Sequence, residues 1–179
     1  MRCKTVIILS SLVAVLAAVS GCSQQAVQAT ATASNAAQID KSKYILSEEP
    51  EGAVGVMIAR EDMQDQDDIV LVGRIGGRKN PWIEGRSAFM VIDAAMTVVA
   101  DGEDSGGGEV CMDDCCASLR AECTTLVKIV DEQGKPLAID ARELLGAKAN
   151  DMVVVKGKVQ RDEKDGTFTI AASGVYVRR

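Results

Sequence analysis

Asp140-Ala141-Arg142-Glu143-Leu144-Leu145-Gly146, followed by Met152-Val153-Val154-Val155-Lys156-Gly157-Lys158-Val159-Gln160-Arg161, is the stretch that decides how this chain folds. The first part has its own start and stop signals. Asp140 at the N-cap with Glu143 three residues on makes a capping box, and Gly146 supplies a left-handed terminator. The second part alternates. Val153, Val155, Gly157 and Val159 fall on one face, and Lys156 and Lys158 on the other, which is the period of a strand. Lys164-Asp165-Gly166 forms a hairpin turn, and Phe168, Ile170 and Ala172 then point inward. Val175 and Val177 are in the opposite phase, which predicts a bulge at Ser173-Gly174. Before the helix come three strand runs: Ile69 to Ile75, ended by Gly76-Gly77; Ala88 to Asp93; and Leu126 to Val130. Asp131-Glu132-Gln133-Gly134 reads as a turn, with Lys135 to Ile139 expected to pair back on the third strand. Upstream, Pro50 to Gln64 is expected to hold a helix, opened by Pro50 with Glu51 in its first turn.

Three strands, a short helix and two further strands, over residues 69–179, resemble the OB-fold. That resemblance implies a mainly β, five-stranded Greek-key barrel with its helix between strands three and four. An N-terminal helical segment is assigned to 44–68 and a Cys-rich insert to 94–124. The layout, with Pro81-Trp82-Ile83-Glu84-Gly85-Arg86 and Cys115-Cys116, is also similar to uncharacterised Cys-rich OB-like lipoproteins of bacteria. That likeness implies no activity.

The chain has 179 residues, enough for one ordinary domain plus extensions. The first extension reads as targeting. Arg2 and Lys4 precede an uncharged apolar run from Val6 to Ala18, too short to span a bilayer and of the length of a signal-peptide core. Val19-Ser20-Gly21-Cys22 follows and resembles the lipobox of bacterial lipoproteins. The resemblance implies cleavage after residue 21 and acylation of Cys22, since several acyl chains anchor where one would not. Ser23, non-acidic, points to the periplasmic face of the outer membrane. The expected location is therefore the bacterial cell envelope. Residues 22–43, rich in Ala, Gln, Ser and Thr, read as a flexible tether.

The insert between strands two and three is the chemically unusual segment. Between Asp101 and Cys123 lie Asp101, Glu103, Asp104, Glu109, Asp113, Asp114 and Glu122, with Arg120 the sole base. It also holds Cys111, Cys115, Cys116 and Cys123. Four Cys in an exported domain are expected to form two disulfides, which restrain a loop that cannot bury itself. A vicinal Cys115–Cys116 bridge is strained. That leaves Cys111–Cys115 with Cys116–Cys123, or Cys111–Cys116 with Cys115–Cys123; the second is preferred because it crosses the loop twice. The alternative is a metal-handling site of four thiolates, although the spacing matches neither zinc nor ferredoxin patterns.

Exclusions complete the reading. With no histidine, Ser-His-Asp and Cys-His catalysis and His-ligated zinc or haem are ruled out. A net charge of −6 argues against a general nucleic-acid binder. No nucleophile–base pair and no phosphate loop stand out, so no catalytic residue, metal or cofactor is assigned. The expectation is a non-catalytic binding or envelope-interaction module, meeting a small ligand or an envelope protein. Arg78, Lys79 and Trp82 are its candidate contacts. A second alternative is an OB-fold nucleic-acid binder. Against it stand only five aromatics (Tyr44, Trp82, Phe89, Phe168, Tyr176), a poor stacking platform.

Overall fold

A computed structural model describes residues 39–96, 114–162 and 164–179. Six strands form one sheet: β1 (Asp68–Ile75), β2 (Trp82–Ile83), β3 (Ala88–Asp93), β4 (Thr124–Ile129), β5 (Met152–Asp162) and β6 (Thr167–Val177). Their order is β1-β5-β6-β4-β3-β2, and β1 also pairs with β3. That last pairing, Gly73 to Asp93 through Ile75 to Val91, closes five strands into a barrel. All neighbours run antiparallel except β4 and β6, which are parallel. The barrel is OB-like, as the strand and helix order implies. Among the described residues closure leaves no long strand edge for another chain to pair with.

Alternation fills the barrel. Val153, Val155 and Val159 of β5 are fully buried, while Lys156 and Lys158 are exposed. Leu71, Phe89, Val91, Val127, Ile129 and Ile170 join them in the core. The bulge falls where phase predicted it. Lys156 pairs with Gly174 and Gly157 with Ala172, so Ser173 is the extra residue. Gly157 is required there, because a Cβ would lie 2.3 Å from the Ala171 carbonyl oxygen.

Among the described residues three short α-helices accompany the barrel: α1 (Val56–Asp62), α2 (Ala117–Glu122) and α3 (Ala141–Leu145). α3 starts and stops as read. Asp140 Oδ1 accepts from Arg142 N at 2.9 Å, and Gly146 ends the helix at φ 61°. The reciprocal half of the expected capping box differs, since Glu143 instead accepts from Lys41 Nζ at 3.1 Å. Among the described residues no helix is long and apolar enough to cross a membrane.

Two expected elements change. The helix read over Pro50–Gln64 is confined to α1. Gly52 takes a φ of 77°, and Val54 instead exchanges backbone hydrogen bonds with Val70 and Val72. The helix begins at Gly55, which has no side chain to cap it; buried Asp93 of β3 supplies Oδ2 to Met57 N at 3.0 Å. The partner strand read over Lys135–Ile139 reduces to one bridge between Val130 and Pro136. Pro136 has no N–H to extend the ladder. The N-terminal segment is not a separate body. Val56 and Ala59 are core residues, and Ile39, inside the stretch read as tether, packs partly against them. The stretch read as a signal peptide, Cys22 and most of the stretch read as a tether lie outside the described residues, as does the insert from 97 to 113 with Cys111.

Candidate ligand groove

Arg60 on α1, Arg78 in the loop after β1 and Arg120 on α2 line one groove of about 590 Å³. Thr124, Thr125 and Leu126 of β4 and Phe168 and Thr169 of β6 also line it, and the β5–β6 turn closes one side through Asp165 and Gly166. Each element arrives there for a sequence reason. The β4–β6 parallel register sets Leu126 against Thr169. The β5–β6 hairpin sets Arg161 opposite Phe168. The buried cap at Asp93 fixes α1, and with it Arg60.

Phe168 is the centre of the charge arrangement. Its ring is 4% exposed and has two guanidiniums beside it, Arg60 at 5.2 Å and Arg161 at 5.1 Å from the centroid. Arg60 Nη2 donates to the Thr124 carbonyl at 2.6 Å, and Arg161 Nη2 donates to the Arg60 carbonyl. The Nε of each is buried without a hydrogen-bond partner. Burial, and then the neighbouring Arg161 charge, presses Arg60 below the ordinary guanidinium value. Neither arginine forms an ion pair among the described residues. The hydroxyl protons of the floor are used internally: Thr125 donates to the Phe168 carbonyl at 2.9 Å and Thr124 to the Arg120 carbonyl at 2.6 Å.

A second groove of about 550 Å³ lies on the β1–β5–β6 wall, lined by Val54, Val70, Lys156, Lys158, Ala171 and Ser173. Its charges nearly cancel, with Asp68, Asp131 and Glu132 against Lys156 and Lys158. Lys158 pairs with Asp68 at 2.9 Å, and Asp131 and Glu132 stand on its rim. It carries no comparable excess of one sign.

The sequence-derived contacts divide. Arg78 is exposed and lines the arginine groove. Lys79 is exposed but outside its lining. Trp82 is not an open contact. It is 8% exposed, lies 5.9 Å from the Phe89 ring, and has the Arg142 guanidinium 5.9 Å from its own ring. Its indole packs into the core beside Arg142 of α3, because burying that large surface outweighs leaving it for a ligand.

The cysteines also depart from expectation. Cys115 is an exposed thiol and Cys123 a buried one, and no disulfide is formed among the described residues. Cys115 and Cys116 place their Sγ atoms 3.7 Å apart. α2 stands between this pair and Cys123. At helical rise it separates Cys115 from Cys123 by about 12 Å and Cys116 from Cys123 by about 10 Å, beyond the reach of a disulfide. Both expected pairings use Cys123, so neither fits this helix. Burial pushes the Cys123 thiol up, and the Asp93 and Glu122 carboxylates push it the same way, so it is a poor nucleophile. Among the described residues no three metal-ligating side chains converge.

Arg60, Arg120, Arg161 and Phe168 were not singled out by the sequence reading. The Arg161–Phe168 pair was derivable, since a turn at 164–166 sets those residues opposite one another. Arg60 carried no signal, as it comes from a helix outside the barrel. No family model, no curated protein and no solved structure matches this chain.

Proposed function

We propose that this protein is a lipid-anchored, extracytoplasmic binding module of the bacterial envelope that works without catalysis. Residues 1–21 act as its signal peptide, Cys22 as its anchor, and the arginine groove as its contact face. The single observation that carries the binding half is the groove itself. Among the described residues three arginines line it in a chain of net charge −6, with Asp165 the one acidic lining residue. The anchoring half rests on Val19-Ser20-Gly21-Cys22 and the apolar run before it. Fractionation of expressing cells tests it. The wild type is expected in the outer-membrane fraction and Cys22→Ala in the soluble periplasm; equal partitioning of both would sink the anchor. In this reading the insert is held by disulfides, and a mass below that of the fully reduced chain is the expected signature.

A second reading, a soft-metal-handling protein, is favoured by the 3.7 Å approach of the Cys115 and Cys116 sulfurs. Native mass spectrometry separates the two: retained metal on a fully reduced chain selects the second.

A further inference from the structure

We infer that the arginine groove binds an oxyanion, a phosphate or carboxylate group of a compact ligand, with Arg60 and Arg78 as its main contacts. This rests on the reading of that groove as the contact face and names what it takes. Arg60 is the main anchor. It comes from α1, outside the barrel, so the site is built by this chain's own N-terminal segment.

Three observations converge. The first is charge left without an ion pair, since Glu122 acts on Arg60 only from a distance. Arg60 and Arg161 crowd one ring, and no carboxylate pairs with either among the described residues. Two like charges in a partly buried setting repel, and an anion between or beside them removes that cost. Asp165 does not do so, because its carboxylate accepts from Thr167 N at 2.8 Å within its own turn. The second is preorganisation. Arg60 is held by the Thr124 carbonyl and the Phe168 ring, so its planar fork loses little freedom on binding. Among the described residues only its Nη2 donates, to the Thr124 carbonyl, and a guanidinium matches carboxylate and phosphate oxygens two at a time. The third is size and surface. About 590 Å³ suits a compact molecule. With Phe168 4% and Trp82 8% exposed, no open aromatic face is offered to a nucleobase, which favours an oxyanion over single-stranded nucleic acid.

Isothermal titration of the full chain in detergent, with inorganic phosphate and with citrate, tests this. At least one of the two is expected to bind. Arg60→Gln and Arg78→Gln should each weaken it about tenfold or more, and Lys156→Gln on the other wall should leave it unchanged. Thermal melts confirm that each variant is folded; Arg78 is exposed, so its variant keeps the test decisive if Arg60→Gln fails to fold. Binding of the Cys22→Ala chain to phosphatidylglycerol vesicles, displaced by phosphate, would assign the oxyanion to a lipid headgroup. Binding to phosphate without vesicle binding would assign it to a free ligand. Either supports the inference. No heat with either anion, or unchanged binding in both arginine variants, overturns it. Oligothymidylate binding without phosphate or citrate binding overturns it in favour of nucleic acid. A neutral oligosaccharide that binds in an Arg78-dependent manner when both anions fail overturns the oxyanion and leaves the groove as contact face. Anion binding lost in Lys156→Gln alone overturns both.

Discussion

Phe168→Leu should destabilise the protein by about 2–3.5 kcal/mol. The ring is 4% exposed, so replacing it with a smaller side chain loses buried contact worth about 1–1.5 kcal/mol. It also removes the face that Arg60 and Arg161 approach at 5.2 and 5.1 Å. Each such contact contributes about 0.5–1 kcal/mol when partly exposed. Urea unfolding of the full chain, extrapolated linearly, gives the total. A double-mutant cycle with Arg161→Gln isolates one ring–guanidinium contact and should return a coupling of about 0.5–1 kcal/mol. The cycle matters because Arg161→Gln also loses the hydrogen bond to the Arg60 carbonyl, which the subtraction cancels. A total loss below about 1 kcal/mol, or no coupling, would refute the idea that Phe168 organises the arginines.

Other perturbations have equally specific outcomes. Hydrogen bonds from Arg142 hold Asp140 at about 2, below its ordinary 3.8. A lowered carboxylate stabilises above the unfolded value and loses that contribution as pH falls toward 2. With the Arg142 side chain 47% exposed, screening leaves about 1 kcal/mol. Asp140→Asn keeps a capping side chain, so its deficit at neutral pH should vanish near pH 2; a pH-independent deficit would contradict this. Gly157→Ala forces a Cβ to 2.3 Å from a backbone oxygen, and should cost more than about 3 kcal/mol or prevent folding. A wild-type melting curve would show that the strands can part there. Asp93→Ala removes the carboxylate that accepts from Met57 N and Ala95 N, and should cost about 1–2 kcal/mol in urea unfolding. A loss confined to a few tenths would mean that packing of Val56 and Ala59 alone positions α1.

The barrel was legible because its signals are local and agree with one another. Alternation on β5, the turn at 164–166, the phase change at Ser173 and the cap at Asp140 each belong to a few adjacent residues. What escaped the reading depends on distant partners. α1 is capped from β3, 36 residues away, so no sequence neighbour marks its start. Trp82 reads as a contact beside Arg78 and Lys79, yet the core takes its bulk. The groove follows the same rule. Arg78 was visible as part of a basic loop, whereas Arg60 enters only when α1 folds against β1 and β3 and its side chain reaches Thr124. The cysteine spacing suggested cross-links, but a helix between Cys116 and Cys123 changes which sulfurs can meet.

The central claim is that ligands meet this protein at the arginine groove, and amide chemical-shift mapping of the full chain during a phosphate or citrate titration tests it most directly. The account predicts saturable shifts at Arg60, Thr124, Thr125 and Thr169, with Lys156, Lys158 and Ser173 unmoved. Shifts confined to that second set, or none in either, would contradict it.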